Sequence, residues 1–456
     1  MKRIPIAFLL LIGFSACQKE FEKDLPSSGE LDFSSYVAYG GSMAAGFADG
    51  ALSKSGQDAS YPALLAHQFK LLGGGDFSIP YLKGDLGVYP DYDAINNNYS
   101  RTLSLLELQR FVDCKGKLVM LPRRLSPNGD NEVDLNDIAQ KVANPPRPYQ
   151  HWGIPALKMT DLLAQSYGEL SSYTNNSPFS PFFWRMVQNS FFTNVLFESL
   201  KANPTFYTLD LGTSDVLSFA TEGGNGKVTD KISKLNDFIY SLNAITDSLD
   251  KRGAKGVIAT IPDVTVFPYV TRIKYNDLEL TEQNRVDALT IQYQAQGLQF
   301  VKGNNSFVIQ DGATIRFIHP DEHITLKVPV DSIKCAGWGA EKPLHKEYIL
   351  TPDELQSIRT ATEQFNSALL AKASEKNIPV VDIKKVYETI FSHVYIDGIE
   401  FSGELVSGAF FSLDGLHPSK RGQAIVANEF IRVINKSYGA NIPSVGVGST
   451  EGIRFP

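Results

Sequence analysis

The sequence predicts an α/β protein, a three-layer α/β/α sandwich with a parallel central sheet. Three observations predict it. Short β-prone apolar runs alternate with segments of helical periodicity. The runs Lys255-Gly256-Val257-Ile258-Ala259-Thr260-Ile261-Pro262 and Ile378-Pro379-Val380-Val381-Asp382-Ile383 are apolar nearly throughout, as in strands buried on both faces. Strands that alternate with helices require crossover connections, and these cover a parallel sheet from both sides.

The first strand is Tyr36-Val37-Ala38-Tyr39, which breaks at Gly40-Gly41 and delivers Ser42. A helix follows at Tyr61-Pro62-Ala63-Leu64-Leu65-Ala66-His67-Gln68-Phe69. The next strand is Thr205 to Leu211. Val228, Ile232, Leu235, Ile239, Leu242, Ile245 and Leu249 then recur at spacings of three and four, which places one buried stripe on a helix ending at Arg252-Gly253. The strand at 255–262 comes next. Thr351-Pro352-Asp353-Glu354 starts a helix with proline at its first position, carried on through Ile358, Ala361, Phe365, Leu369 and Ala373. After the strand at 378–383, a last helix spans Gly422 to Ile434. Two stretches, 73–150 and 266–348, do not fit the alternation and read as long insertions into one domain at about 33–440, followed by a tail at 441–456.

Of the 456 residues, 43% are hydrophobic and 20% charged, the composition of a globular chain with enough apolar residues for a large core. A formal net charge of −7 excludes a nucleic-acid binder, which needs basic excess on one face. The N-terminus reads as a processing signal. Met1-Lys2-Arg3 is a positive n-region and Ile4 to Phe14 an apolar h-region. Phe14-Ser15-Ala16-Cys17 resembles a bacterial lipobox. Residues 1–16 are thus expected to be a lipoprotein signal peptide, with Cys17 lipidated and 17–32 a polar tether. The expected location is the cell envelope, at the outer membrane, with the membrane a partner through that lipid. Cys114 and Cys335, one in each insertion, can pair outside the cytoplasm or stay free.

Chemistry concentrates in two short stretches. Gly40-Gly41-Ser42 places a serine at the carboxyl end of a strand, where open α/β sheets bind ligands. Far along the chain, Asp414-Gly415-Leu416-His417-Pro418 sets a carboxylate within reach of an imidazole Nδ1–H, the arrangement that fixes tautomer and orientation in a catalytic triad. His319 and His323 have the spacing of two ligands on a helix face, but His319-Pro320 breaks a helix there, so no metal is expected. The acidic run Ser126–Asp137 is spaced somewhat like a calcium loop and reads better as an acidic turn.

These motifs, in this order from Tyr36 to Ile434, resemble the SGNH hydrolase superfamily, the GDSL-type esterases and lipases. Asp414-Gly415-Leu416-His417-Pro418 is similar to the family's last block, Gly40-Gly41-Ser42 to its nucleophile turn, His151-Trp152-Gly153-Ile154-Pro155-Ala156 to its second block, and Gly212-Thr213-Ser214-Asp215 to its third. The resemblance implies a flavodoxin-like SGNH fold and a serine ester hydrolase that needs no cofactor. It implies a triad of Ser42, His417 and Asp414, with Ser42 Oγ and Nε2 of His417 in hydrogen-bond reach. The implied oxyanion hole is Ser42, Gly153 and Ser214. Two positions depart from the family pattern: Gly41 stands where the family has Asp, and Ser214 where it has the Asn whose amide donates to the oxyanion. Loss of a donor of that kind costs on the order of 100- to 1,000-fold in turnover. The expected substrates are carboxylic esters of a lipid, a small alcohol or a glycan. The two departures also fit a second reading, a binding lipoprotein that kept the fold without efficient chemistry.

Overall fold

The computed structural model describes residues 25–456 apart from 94–97, 115, 126–140, 143–147, 170, 172–176 and 225–229. The signal segment, Cys17, the whole Ser126–Asp137 run and Val228 therefore lie outside the described residues.

Five parallel strands form the central sheet: β1 (Tyr36–Gly40), β2 (His151–Gly153), β3 (Phe206–Asp210), β4 (Lys255–Ala259) and β5 (Val380–Val381), in the order β5-β4-β3-β1-β2. Every residue of β1 and β3 is buried, including the polar Thr208 and Asp210 of β3. The register sets Gly40 beside Asp210 on one side and Gly153 on the other, so three strand ends meet at one edge. β5 is shorter than the apolar run 378–383 because Asp382 leaves the strand. Its carboxylate accepts the Lys385 N–H at 3.0 Å and so caps a helix that starts at Ile383.

The helices that matter to the site are α1 (Ser42–Ala45), α2 (Tyr61–Leu71), α3 (Thr213–Thr221), α4 (Leu235–Asp250), α5 (Pro352–Lys376), α6 (Ile383–Phe391) and α7 (Lys420–Tyr438). They pack in two groups. α7 packs against α2 and α6, with the rings of Tyr61 and Phe430 stacked at 4.6 Å. α5 packs against α3 and α4, with Phe238 and Phe365 stacked at 4.4 Å. α5 opens with a full capping box, in which Thr351 and Glu354 satisfy each other's backbone N–H groups. α4 begins at Leu235, later than the periodicity predicts, because the preceding residues serve another purpose: the Ser233 N–H donates to the Asp215 carbonyl at 3.0 Å.

The stretch 73–150 contributes two antiparallel hairpins, Tyr89–Asp93 with Asn98–Leu103 and Leu106–Val112 with Leu118–Arg124. Residues 278–349 bury a hydrophobic cluster of their own around Leu280, Val308, Ile309, Ile324 and Leu344. A Cys114–Cys335 disulfide joins the two stretches, and Arg123 pairs with Asp331 at 2.7 Å beside it. The segment 441–456 is docked: Ile442 and Val447 are buried, and Lys420 of α7 pairs with Glu451 at 2.7 Å.

Candidate active site

Close packing shapes the nucleophile turn. A Cβ on Gly40 would stand 2.2 Å from the Ala44 Cβ, so only glycine lets β1 run directly into α1. A Cβ on Gly41 would come within 3.0 Å of Ser214 Oγ and 3.2 Å of the Leu157 carbonyl, so any side chain there requires these neighbours to give by a few tenths of an ångström. Ser42 emerges as the first residue of α1, and its Oγ accepts a hydrogen bond from the Ala156 N–H at 2.8 Å.

That donor is a residue the sequence did not single out. Ala156 has φ +61°, a left-handed conformation uncommon outside glycine, and it is held there by the turn that follows β2. In that turn the Ile154 N–H donates to the Gly40 carbonyl at 3.0 Å and the Leu157 N–H to the Ile154 carbonyl at 3.0 Å. Gly153, expected as the donor, sits three residues earlier, inside β2. Its N–H points to Nδ1 of His151 at 3.3 Å, and its missing side chain makes room for α1, since a Cβ there would lie 2.5 Å from the Ala45 N. Gly153 thus permits close packing, and the amide that reaches the serine belongs to Ala156.

Ser214 opens α3, is buried, and lines the same cleft as Ser42 and His417. Its neighbour Asp215 is fully buried and anchors the segment after Ala156: its carboxylate accepts the Met159 N–H at 2.7 Å. Burial pushes the carboxyls of Asp215 and of Asp161, beside it, well up. Asp210, at the end of β3 and also lining the cleft, is pushed by burial to about 7, with the Tyr61 hydroxyl acting in the other direction.

Asp414 and His417, the expected acid and base, sit on the loop before α7. The Asp414 carboxylate takes five donors. Oδ2 accepts the Nδ1–H of His417 at 2.8 Å and the Gly50 N–H at 3.0 Å. Oδ1 accepts the Ser412 hydroxyl at 2.9 Å and the backbone N–H groups of Leu416 at 2.8 Å and His417 at 3.0 Å. Burial alone would raise this carboxyl. The His417 charge and hydrogen bond, with the backbone donors, outweigh burial and hold it at about 2. Gly415, at φ +69°, makes the turn between them, and its carbonyl receives the Tyr269 N–H at 3.0 Å. The His417 ring is buried against Phe47, with centroids 4.9 Å apart. Its Nε2 is buried and has no hydrogen-bond partner among the described residues. Ser42 Oγ and His417 Nε2 thus border one cleft without a hydrogen bond between them, because Oγ faces the Ala156 amide.

His319 and His323 do not converge. His319 lies at the surface 3.3 Å from Asp321, whereas His323 Nδ1 faces the Val270 carbonyl at 3.3 Å. Among the described residues no group of three or more His, Cys, Asp or Glu side chains is placed to hold a metal.

A serine and a histidine thus line one cleft at the carboxyl edge of a parallel α/β sheet, with Asp414 held on the histidine. Residues 317–430, which include Asp414 and His417, match the model of the GDSL-like lipase/acylhydrolase family. Over that quarter of the chain the sequence is similar to the GDSL-like lipase/acylhydrolase family. Among solved structures it is similar to a candidate GDSL-like lipase from Parabacteroides merdae ATCC 43184, at 12% identity and a TM-score of 0.24, over 53% of this chain and 63% of that one. The chain therefore spans less than two thirds of that relative's length, and so loose an overlap bears on neither fold nor chemistry. No curated protein matches the chain in sequence.

Proposed function

We propose that the chain is a serine ester hydrolase that works through an acyl-enzyme. The observation that carries this reading is the Asp414–His417 pair at 2.8 Å with an unpartnered Nε2 beside the cleft that Ser42 lines. In the resting arrangement Ser42 Oγ occupies the Ala156 amide. Rotation of the side chain toward His417 frees that amide and puts Oγ next to its base. His417 takes the proton as Oγ attacks the ester carbonyl, and Asp414 stabilises the imidazolium. The N–H groups of Ser42 and Ala156, with the Ser214 hydroxyl in place of the family's amide, receive the oxyanion. His417 then protonates the leaving alcohol, and water releases the acyl group by the same steps.

The two helix groups support a three-layer arrangement of the sheet, and the stretches 73–150 and 266–348 act as insertions that shape the alcohol side of the cleft. The substrate is a carboxylic ester of a small alcohol, lipid or glycan. A signal peptide at 1–16 and lipidation of Cys17 would hold the enzyme at the cell envelope, a compartment in which a Cys114–Cys335 disulfide persists.

A panel of short p-nitrophenyl esters and acetylated sugars tests the reading. Purified wild type is expected to hydrolyse at least one class, and Ser42→Ala to lose that activity to background. Equal rates for the two proteins would overturn it.

A further inference from the structure

One partly buried carboxyl beside the site is used by none of the steps above. Asp49 sits in the turn between α1 and α2, at φ +52°, a left-handed conformation that Asp and Asn tolerate better than most residues. It bonds two consecutive residues of the acid loop, and its neighbour Gly50 bonds the third. Its N–H donates to Ser412 Oγ at 2.9 Å, and that hydroxyl in turn donates to Asp414. Its Oδ1 accepts the Leu413 N–H at 2.8 Å. The next amide, Gly50, donates to the same Asp414 oxygen that holds the Nδ1–H of His417. From the other side the turn is gripped by the hairpin at 106–124: the Leu106 N–H donates to the Asp49 carbonyl at 2.8 Å, and Arg124 to the Gly50 carbonyl at 2.8 Å.

We propose that Asp49 is a positioning residue for the Asp414–His417 pair, fixing the 412–414 segment through its carboxylate and amide and adding its charge to the field that stabilises the His417 imidazolium. The proposal rests on the reading of that pair as the acid and base of the site. Asp49 is spaced from Asp414 by backbone donors and not by a shared proton, so its effect on His417 is electrostatic and geometric. The charged groups around it are Asp414, Lys420 and His417, with the Arg124 guanidinium on the adjoining carbonyl. Burial, with the Asp414 charge acting in the same direction, pushes its carboxyl up to about 6 against the pull of the Leu413 N–H, Lys420 and His417. Its charge therefore appears within the range in which an unperturbed histidine titrates.

Two variants of the full chain test this. Asp49→Asn keeps the size, the backbone conformation and an oxygen for Leu413, and removes only the charge. Asp49→Gly removes the acceptor at no conformational penalty for positive φ. In Asn, the His417 imidazole titration followed by NMR is expected to move to lower pH by a few tenths of a unit to one unit, and the acid limb of kcat/KM to move with it. In Gly, kcat is expected to fall about 10- to 100-fold with KM within about threefold, because the cleft wall is untouched. Asn should recover most of that kcat. An unmoved His417 titration in Asn together with wild-type kcat in Gly, even with a lowered Tm, would overturn the proposal and leave Asp49 a structural turn residue. The NMR titration decides the question whether or not the protein hydrolyses esters. Failure of the Ser42→Ala test alone would sink the esterase reading and leave this measurement standing.

Discussion

The two halves of the site are held very differently. On the side of Asp414 and His417, five donors saturate the Asp414 carboxylate, four of them from the loop itself and one from Gly50 in the turn after α1. On the Ser42 side, the hydroxyl has one partner among the described residues, the Ala156 amide, and the shape of the turn comes from the absence of side chains on Gly40, Gly41 and Gly153. Hydrogen bonds orient the base, and steric exclusion orients the nucleophile. The contrast teaches which part moves. A carboxylate with every lone pair engaged is held in place, whereas a hydroxyl held by one backbone amide keeps its freedom about χ1.

The largest effect should come from breaking the saturated half. In Asp414→Asn an NH2 group must face donors whichever way the amide is turned, on the His417 side or the Ser412 side. A fall in kcat on the order of 10⁴-fold is expected, measured on whichever ester the wild type prefers. A loss of less than tenfold would show that His417 is oriented without its carboxylate. A smaller effect belongs to the nucleophile half. Ser214→Ala should lower kcat about 10- to 100-fold if the hydroxyl donates to the oxyanion, and Ser214→Asn should equal or exceed wild type. An unchanged rate in Ser214→Ala would leave the amides of Ser42 and Ala156 as sufficient donors.

The smallest effect concerns stability and pH. Asp49 and Asp210, pushed up to about 6 and about 7, and Asp161 and Asp215, also pushed up by burial, bind protons more tightly folded than unfolded. Their contribution is complete below the unfolded carboxylate value of about 4 and is lost as pH rises through the folded values. Asp414, held at about 2, acts in the opposite sense: its contribution is present above about 4 and is lost as pH falls toward its folded value. The Tm is therefore expected to be a few degrees higher at pH 5 than at pH 8. A flat melting profile over that interval would mean that partners fully compensate the buried carboxyls.

The strands and the long helices were legible because their signals are local. β1, β3 and β4 are mostly apolar and buried, and α5 carries its capping box in four consecutive residues. Ser42, Asp414 and His417 were legible through motif spacing, and His417 and Asp414 do meet. What escaped is set by tertiary contact. His151–Gly153 is too short to read as a strand until it lies beside β1. Ala156 gives no sign of a left-handed turn, because alanine is not the residue that ordinarily marks one. Asp49-Gly50 reads as an ordinary turn dipeptide, and only the fold brings it to the acid loop more than 360 positions later.

The bridge between Cys114 and Cys335 encloses 221 positions of sequence, and β2, β3 and β4 all lie within that ring. In the chain-entropy account a closure of this size lowers the freedom of the denatured chain by about 5 kcal/mol. Three of the five sheet strands therefore search for their places as segments of a cyclic polymer once the thiols have joined. A chain made under reducing conditions must find the same sheet as a linear one, so oxidative and reductive refolding yields provide a direct measure of how far this one covalent link guides assembly.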